Sequence, residues 1–336
     1  MMPWSGAPRE YVQMADTRLT DSEHVLHGVA RTVNDISTAI QTVIEGKAEV
    51  VRLILTVLLA EGHILLEDVP GVGKTMLSKA LAQSIDCSVS RIQFTPDLMP
   101  SDITGTSVYV PETRQFEFRP GPVFANILIA DEINRAPSRT QSALLECMEE
   151  RQVTVDGETY ELQPPFMVIA TQNPAGMDGT YPLPEAQRDR FLARLSIGYP
   201  ALSAELKMLD LHSAFSPLDE LVPVADAAGV RALFRATRRV HVSESVRRYV
   251  IDLVTATRTH PGLRLGASPR AALHLVRACR AYAALDGRGY VIPDDVQALA
   301  VPVLAHRLLP AYEAEAAVAD LAARLPLPIA ARPAVA

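Results

Sequence analysis

Lysine is nearly missing from this chain. Of 32 basic residues in 336, only Lys47, Lys74, Lys79 and Lys207 are lysines, and arginine supplies the rest. Aromatic residues make up 5 % and tryptophan occurs once, at Trp4, so a core has to be built mainly from Ala, Leu, Val and Ile. Cysteine is scarce as well: Cys87, Cys147 and Cys279 stand far apart with no Cys-x-x-Cys pair. That argues against a disulfide framework or a thiolate zinc site and points to a reducing, cytoplasmic compartment. Basic charge is not in excess. With 39 acidic residues the formal net charge is −7, which lacks the broad footprint of a nucleic-acid binder, so no nucleic-acid partner is expected. A local basic groove stays open. Long apolar runs are missing too: Leu53 to Ala60 is interrupted by Thr56 and bounded by Arg52 and Glu61. It falls far short of the ~20 residues of a membrane span, and the first twenty residues show no signal-peptide pattern.

What remains is an ordinary globular composition, 48 % hydrophobic and 21 % charged, long enough for two or three compact units at roughly 100–200 residues each. Residues 1–22 lack periodicity and are expected to form a loose tail. Helical spacing appears over Val25–Ile44 and Ala48–Ala60. Strands are predicted at 63–67, 89–94, 125–130, 166–171 and 194–197, interleaved with helices over Thr75–Ser84 and Ser138–Glu150. That alternation implies a mostly parallel sheet covered on both faces. After Pro200 helical patterns take over, at 204–214, 226–238, 244–259, 269–285 and 294–307. Ser268-Pro269 and Pro293-Asp294-Asp295 are strong helix starts. The predicted organisation is an α/β unit over 23–201, an all-α unit over 202–325 and a loose end over 326–336.

Chemistry concentrates at strand ends. Pro70-Gly71-Val72-Gly73-Lys74-Thr75 lies between a short apolar strand and a helix. Glycines there let backbone N–H groups close around phosphate oxygens, while Lys74 reaches the terminal phosphates and Thr75 offers its hydroxyl to Mg²⁺. A bare Gly-Lys-Ser/Thr triplet arises by chance in roughly one chain of this length in five to ten. The strict pattern also asks for glycine where Asp68 stands. The strand–loop–helix setting favours a nucleotide nonetheless. A second strand, Ile127-Leu128-Ile129-Ala130, ends in Asp131-Glu132, which suits a Mg²⁺ holder beside a residue that polarises water. A third, Phe166 to Thr171, delivers Asn173 at its carboxyl end, where ligands bind in open parallel sheets. Arg190 and Arg270 cannot be placed by spacing alone; Arg270 opens a helix of the second unit.

In this order the residues resemble the MoxR family of AAA+ ATPases, in the group that includes the magnesium-chelatase ATPase subunit. The similarity runs from Val25 to Leu309. It is carried by Leu65–Thr75, Asp131-Glu132-Ile133-Asn134-Arg135-Ala136-Pro137, Gln141–Glu146, Met148–Gly157 and Gly266-Ala267-Ser268-Pro269-Arg270. Asp68 is what that family usually shows where the strict loop has glycine. The resemblance implies a three-layer P-loop core with an all-α lid. It implies ATP held by Asp68, Val69, Pro70, Gly71, Val72, Gly73, Lys74, Thr75 and Met76, with Mg²⁺ on Thr75 and Asp131. Glu132 would be the catalytic carboxylate, Asn173 sensor 1, Arg270 sensor 2 and Arg190 an arginine finger entering a neighbouring subunit's site. Arg188 stands where members usually carry an aliphatic residue. The linker Val43–Lys47 resembles the segment bordering the adenine, and hairpins at about 107–118 and 152–162 resemble the group's two insertions.

The resemblance therefore implies an ATP-hydrolysing ring, a hexamer in the family's pattern, that remodels or matures protein clients, with a von Willebrand factor A domain protein as partner. ATP bound at an interface is expected to set the angle of the lid through Arg270. A chelatase-type motor subunit and a nucleotide-gated scaffold with little hydrolysis stand as alternatives.

Overall fold

The computed structural model describes residues 9–68, 71–172, 183–199, 217–310 and 313–328. Short apolar runs without polar alternation form strands buried on both faces: β1 (Ile64–Glu67), β5 (Ile127–Asp131) and β8 (Met167–Gln172). With β2 (Val89–Gln93) and β9 (Ala193–Leu195) they make one parallel sheet in the order β2-β5-β8-β1-β9. The register sets Glu67 opposite Gln172 and Gln93 opposite Asp131, so those four polar side chains share the carboxyl edge.

Successive strand residues face opposite ways. Ile64 and Leu66 join one apolar cluster, with α1 (Arg9–Val43), α2 (Ala48–Leu59), α3 (Lys74–Ser84) and the helices of the C-terminal unit. Leu65, Leu128, Ala130, Val168 and Ala170 join the other, with α4 (Pro100–Thr104) and α5 (Ser138–Glu150). The result is three layers. Leu66 is fully buried, and its truncation to Ala would cost about 2–5 kcal/mol.

Two hairpins project from the α5 side: β3 (Gly105–Val110) with β4 (Gln115–Pro120), and β6 (Gln152–Val155) with β7 (Glu158–Glu161). The first is longer than the predicted 107–118. The rings of Phe118 and Tyr160 stack at 4.1 Å, so the two insertions lean on each other.

After the short α6 (Glu185–Arg188), the C-terminal unit contains α7 (Ala227–Thr237), α8 (Glu244–Thr259), α9 (Pro269–Leu285), α10 (Pro293–Leu304) and α11 (Ala314–Arg324). Three of these helices begin on side-chain caps: Asp226, Ser243 and Ser268 accept the N–H of Gly229, Val246 and Ala271. Arg52 on α2 ties this unit back, pairing with Asp286 at 2.7 Å and lying over the Tyr282 ring at 4.2 Å.

One sequence expectation is corrected and two details are added. The first helix starts at Arg9, not Val25, so residues 9–22 are not loose tail; with no Pro or Gly between 9 and 24, nothing in the backbone stops the helix. The C-terminal unit is the expected helical one, with a short antiparallel ribbon of β10 (Leu263–Leu265) and β11 (Leu309–Pro310) added to its helices. The helix at 314–324 was not predicted, since its alanine-rich face gives little apolar contrast. The predicted helix at 204–214 lies outside the described residues. No helix among the described residues is long and apolar enough to cross a membrane.

Candidate active site

The loop between β1 and α3 needs glycine for a conformational reason. Gly71 and Gly73 have φ of 89° and 92°, the left-handed region that side chains disfavour. Gly73 is the N-cap of α3 and supplies no side-chain acceptor, so the first-turn N–H groups point out uncapped at the positive end of an 11-residue helix. A Cβ added at Gly71 would meet nothing within 4 Å. The loop therefore leaves open space over a row of donors, which fits phosphate oxygens.

Lys74 Nζ donates to the Asp68 carbonyl at 2.7 Å. Burial lowers its pKa, while Asp68, Asp131 and Glu132 pull the other way. The ammonium thus sits between the loop and the acids of β5. Among the described residues the Thr75 hydroxyl makes no hydrogen bond, leaving it free to meet a metal ion. Met76 is partly exposed and Val72 is buried beside the loop.

Asp68 has a different use from that of its neighbours. Its carboxylate accepts from the Ser196 hydroxyl at 2.7 Å and from the N–H groups of Ile197 and Gly198. Lys47 grips the same segment from its carbonyl side, donating to Ile197 at 2.6 Å and Tyr199 at 2.8 Å. Residues 196–199 are clamped between an acid on the phosphate loop and a lysine on the linker before α2. That explains why aspartate can replace glycine there: it braces the loop from outside.

At the end of β5, Asp131 receives Arg91 Nε at 2.6 Å and the Thr171 hydroxyl at 3.3 Å. Glu132 adopts φ 56° and ψ 47°, an uncommon conformation for a non-glycine residue that clusters at functional sites. Its N–H donates to Thr171 Oγ1 at 2.9 Å, and its carboxylate accepts from Gln93 at 2.8 Å and pairs with Arg135 at 3.1 Å. Thr171 therefore orients both acids, and Gln93 holds the second one. Sequence reasoning missed Gln93, Arg91 and Thr171. Their only signal is strand register, which a single sequence does not print. Val69, Pro70 and Asn173 lie outside the described residues.

Arg190 and Arg270 are brought together, away from this edge. Glu149, at the end of α5, pairs with Arg190 at 3.1 Å and with Arg270. Asp189 accepts from Ser268 and from buried Arg307, the latter at 3.1 Å, and lies 3.9 Å from Arg270. Met148, next to Glu149, has its carbonyl 3.0 Å from His63, the residue before β1. This is the amino edge of the sheet. The 13 residues of α5 separate it from Asp131-Glu132 by roughly 20 Å at 1.5 Å per residue. Arg270 is thus not brought to its own chain's phosphate loop, as a sensor acting within one subunit would require. Arg188 pairs with Glu185 at 3.7 Å instead.

Comparison with known proteins fits this geometry. Residues 63–193 match the family model described as ATPase family associated with various cellular activities (AAA), and residues 255–325 match the AAA lid domain. The chaperone MoxR1 of Mycobacterium tuberculosis is 42 % identical across 85 % of this chain and 79 % of its own length. The chain belongs to the MoxR family of AAA+ ATPases. A further relative in Bacillus subtilis, the uncharacterized protein YeaC, is 50 % identical over 86 % of this chain and 93 % of its own. A solved structure from Cytophaga hutchinsonii superposes with a TM-score of 0.84 at 37 % identity, covering 92 % of this MoxR-family chain and 99 % of that one.

Among the described residues no group of three His, Cys, Asp or Glu side chains could hold a metal ion alone. One hydroxyl and one carboxylate suit Mg²⁺ that arrives with phosphate ligands of its own. The residues present fit Mg²⁺–ATP.

Proposed function

We propose that this MoxR-family chain assembles into a ring, six subunits in the family's pattern, and hydrolyses ATP at sites completed between subunits. The released motion remodels or matures a protein client, acting with a von Willebrand factor A domain protein. One observation carries this reading: the phosphate loop and acids lie at one edge of the sheet, and Arg190 with Arg270 at the other. No subunit can apply both sets to one nucleotide. A head-to-tail ring brings one edge against the other in every interface.

The residues divide the work. The N–H groups from Gly71 to Thr75 and the Lys74 ammonium hold the phosphates, while Thr75 and Asp131 hold Mg²⁺. When bound, Mg²⁺ neutralises developing phosphate charge. Arg91 releases the Asp131 oxygen it occupies, and Thr171 keeps both acids aimed. Glu132 leaves Gln93, orients the attacking water and takes its proton. Arg190 and Arg270 of the neighbour stabilise charge on the transferred group, a contribution of ~10³–10⁵ in rate for arginine fingers. Because Arg270 opens a lid helix and Asp189 links it to Arg307, loss of the phosphate alters how one subunit's lid sits on the next. The hairpins, with exposed Tyr109 and Phe116, are where that motion reaches a client.

The test is ATPase rate per subunit against protein concentration. A rate that rises with concentration, and is abolished by Glu132→Gln with nucleotide binding kept, supports the reading. A concentration-independent rate, or hydrolysis by Glu132→Gln equal to wild type, refutes it. Affinity capture on the ATP-bound Glu132→Gln variant tests the partner class; failure to recover a von Willebrand factor A domain protein removes that part.

A further inference from the structure

Four arginines converge where neither the phosphate loop nor the finger pair uses them. A cleft of about 440 Å³ lies between the end of α2, the start of the β6–β7 hairpin and helices α7 and α9. Arg151, Arg238, Arg277 and Arg280 line it, and Glu61 is the one acid among the described residues that line it. A neighbouring cavity shares Glu61, Arg151, Arg277 and Arg280 and extends toward Arg190 and Arg270.

Glu61 cannot balance this charge, because its carboxylate is already shared. Arg151 reaches one oxygen at 3.1 Å and Arg238 the other at 2.7 Å. Arg277 and Arg151 also cap the carbonyls of Ala60 and Glu61 at the end of α2, a favourable place for cations. Capping accounts for those two residues and leaves a surplus. Arg280 has no hydrogen bond or ion pair among the described residues, and its Nε is buried without an acceptor. Thr237 lines the same cleft, is 3 % exposed, and its hydroxyl has no partner among the described residues. The crowding registers on Arg277, whose pKa is lowered by burial and then by Arg151 and Arg238, with only Glu61 opposing. Unpaired buried donors of this kind are costly unless something accepts from them.

We propose that this cleft binds a compact anion carrying two or more phosphate groups, with Arg280 and Thr237 as its unpaired donors and Arg238 and Arg277 beside them. The volume is on the small-ligand scale of about 300–1,000 Å³, and planar guanidinium forks suit phosphate oxygens. Four cations against one acid exceed what a single carboxylate could neutralise. Arg151 belongs to the α/β unit, whereas Arg238, Arg277 and Arg280 belong to the helical unit. A bound anion ties the two together on the side of the sheet away from the phosphate loop. The site requires no hydrolysis, so it stands or falls apart from the ATPase reading.

Inorganic pyrophosphate is the probe, titrated by calorimetry into full-length protein carrying Lys74→Ala to disable the phosphate loop. The expected result is one pyrophosphate per chain, weakened at least about tenfold by adding Arg280→Ala, as loss of a charged hydrogen bond predicts, and partly restored by Arg280→Lys. Thermal melting of each variant monitors folding, and Arg238→Ala gives an independent second loss if Arg280→Ala melts early. No binding in the Lys74→Ala protein overturns the proposal. So does binding that Arg280→Ala and Arg238→Ala both leave unchanged, and so does a glutamate-rich peptide binding where pyrophosphate does not.

Discussion

Mixing two dead variants should restore activity, and the pattern of restoration tests which residues serve which nucleotide. Glu132→Gln removes the water-orienting acid but leaves Arg190 and Arg270 to offer a neighbour. Arg190→Ala keeps its own phosphate loop and acids but offers no finger. Each homogeneous ring is expected to fall by ~10³ or more, the usual value of a transferred arginine. In a random one-to-one mixture, an interface works when an Arg190→Ala subunit holds the nucleotide and a Glu132→Gln subunit supplies the arginines. About one interface in four has that arrangement in a head-to-tail ring, so the mixture should recover about a quarter of the wild-type rate per site. Arg270→Ala should complement Glu132→Gln to the same extent, because Glu149 holds Arg270 beside Arg190. Arg190→Ala mixed with Arg270→Ala should stay dead, since both losses fall on the same side of the interface. The assay is steady-state phosphate release after subunit exchange, with oligomer size monitored by light scattering. Recovery in the Arg190→Ala plus Arg270→Ala mixture, or none when Glu132→Gln is mixed with Arg270→Ala, would refute a shared role in the neighbour's site.

Other perturbations reach different parts of the molecule. Asp68→Ala removes the acceptor for Ser196, Ile197 and Gly198 and should lower stability by about 2–4 kcal/mol, read by thermal melting, with weaker nucleotide binding; unchanged melting would show that the clamp is dispensable. Gln93→Ala frees Glu132 of a hydrogen bond whose net worth is about 1 kcal/mol, so basal ATPase should rise about fivefold, and a fall would mean that Gln93 positions Glu132 for reaction. Burial holds His63 and His274 neutral, with pKa values pushed down to about 3 and about 2. The unfolded chain takes up those protons below pH ~6.5, so stability is complete above that value and is lost as pH falls. The two residues together should cost about 4 kcal/mol by pH 5, and a melting temperature equal at pH 7 and pH 5 would contradict this.

How far the site could be read in advance depends on how its parts are joined. Gly71 to Thr75 and Asp131-Glu132 are contiguous, and their chemistry is inseparable from the strand ends that carry them, so a single sequence displays them. Gln93 and Thr171 act on Glu132 from adjacent strands, and the register that delivers them depends on how five strands order themselves. Asp68 departs from the strict glycine pattern, and the reason lies in tertiary contact: its carboxylate holds residues 196–198. The start of α1 at Arg9 was missed because a helix without an apolar stripe carries no periodic signal.

The family, the parallel α/β core, the helical unit and the phosphate-type loop are all written in local patterns of apolar, glycine and acidic residues. Where the arginines sit is set by the packing of distant segments. Arg190 and Arg270 are 80 positions apart in numbering, about that far along the chain, yet share Glu149. The length of α5 places them at the far edge from Lys74. Arg151, Arg238, Arg277 and Arg280 are likewise scattered in a chain of net charge −7 and become one basic cleft only when helices α2, α7 and α9 pack. Long-range electrostatics depends on distance in space, and folding sets that distance.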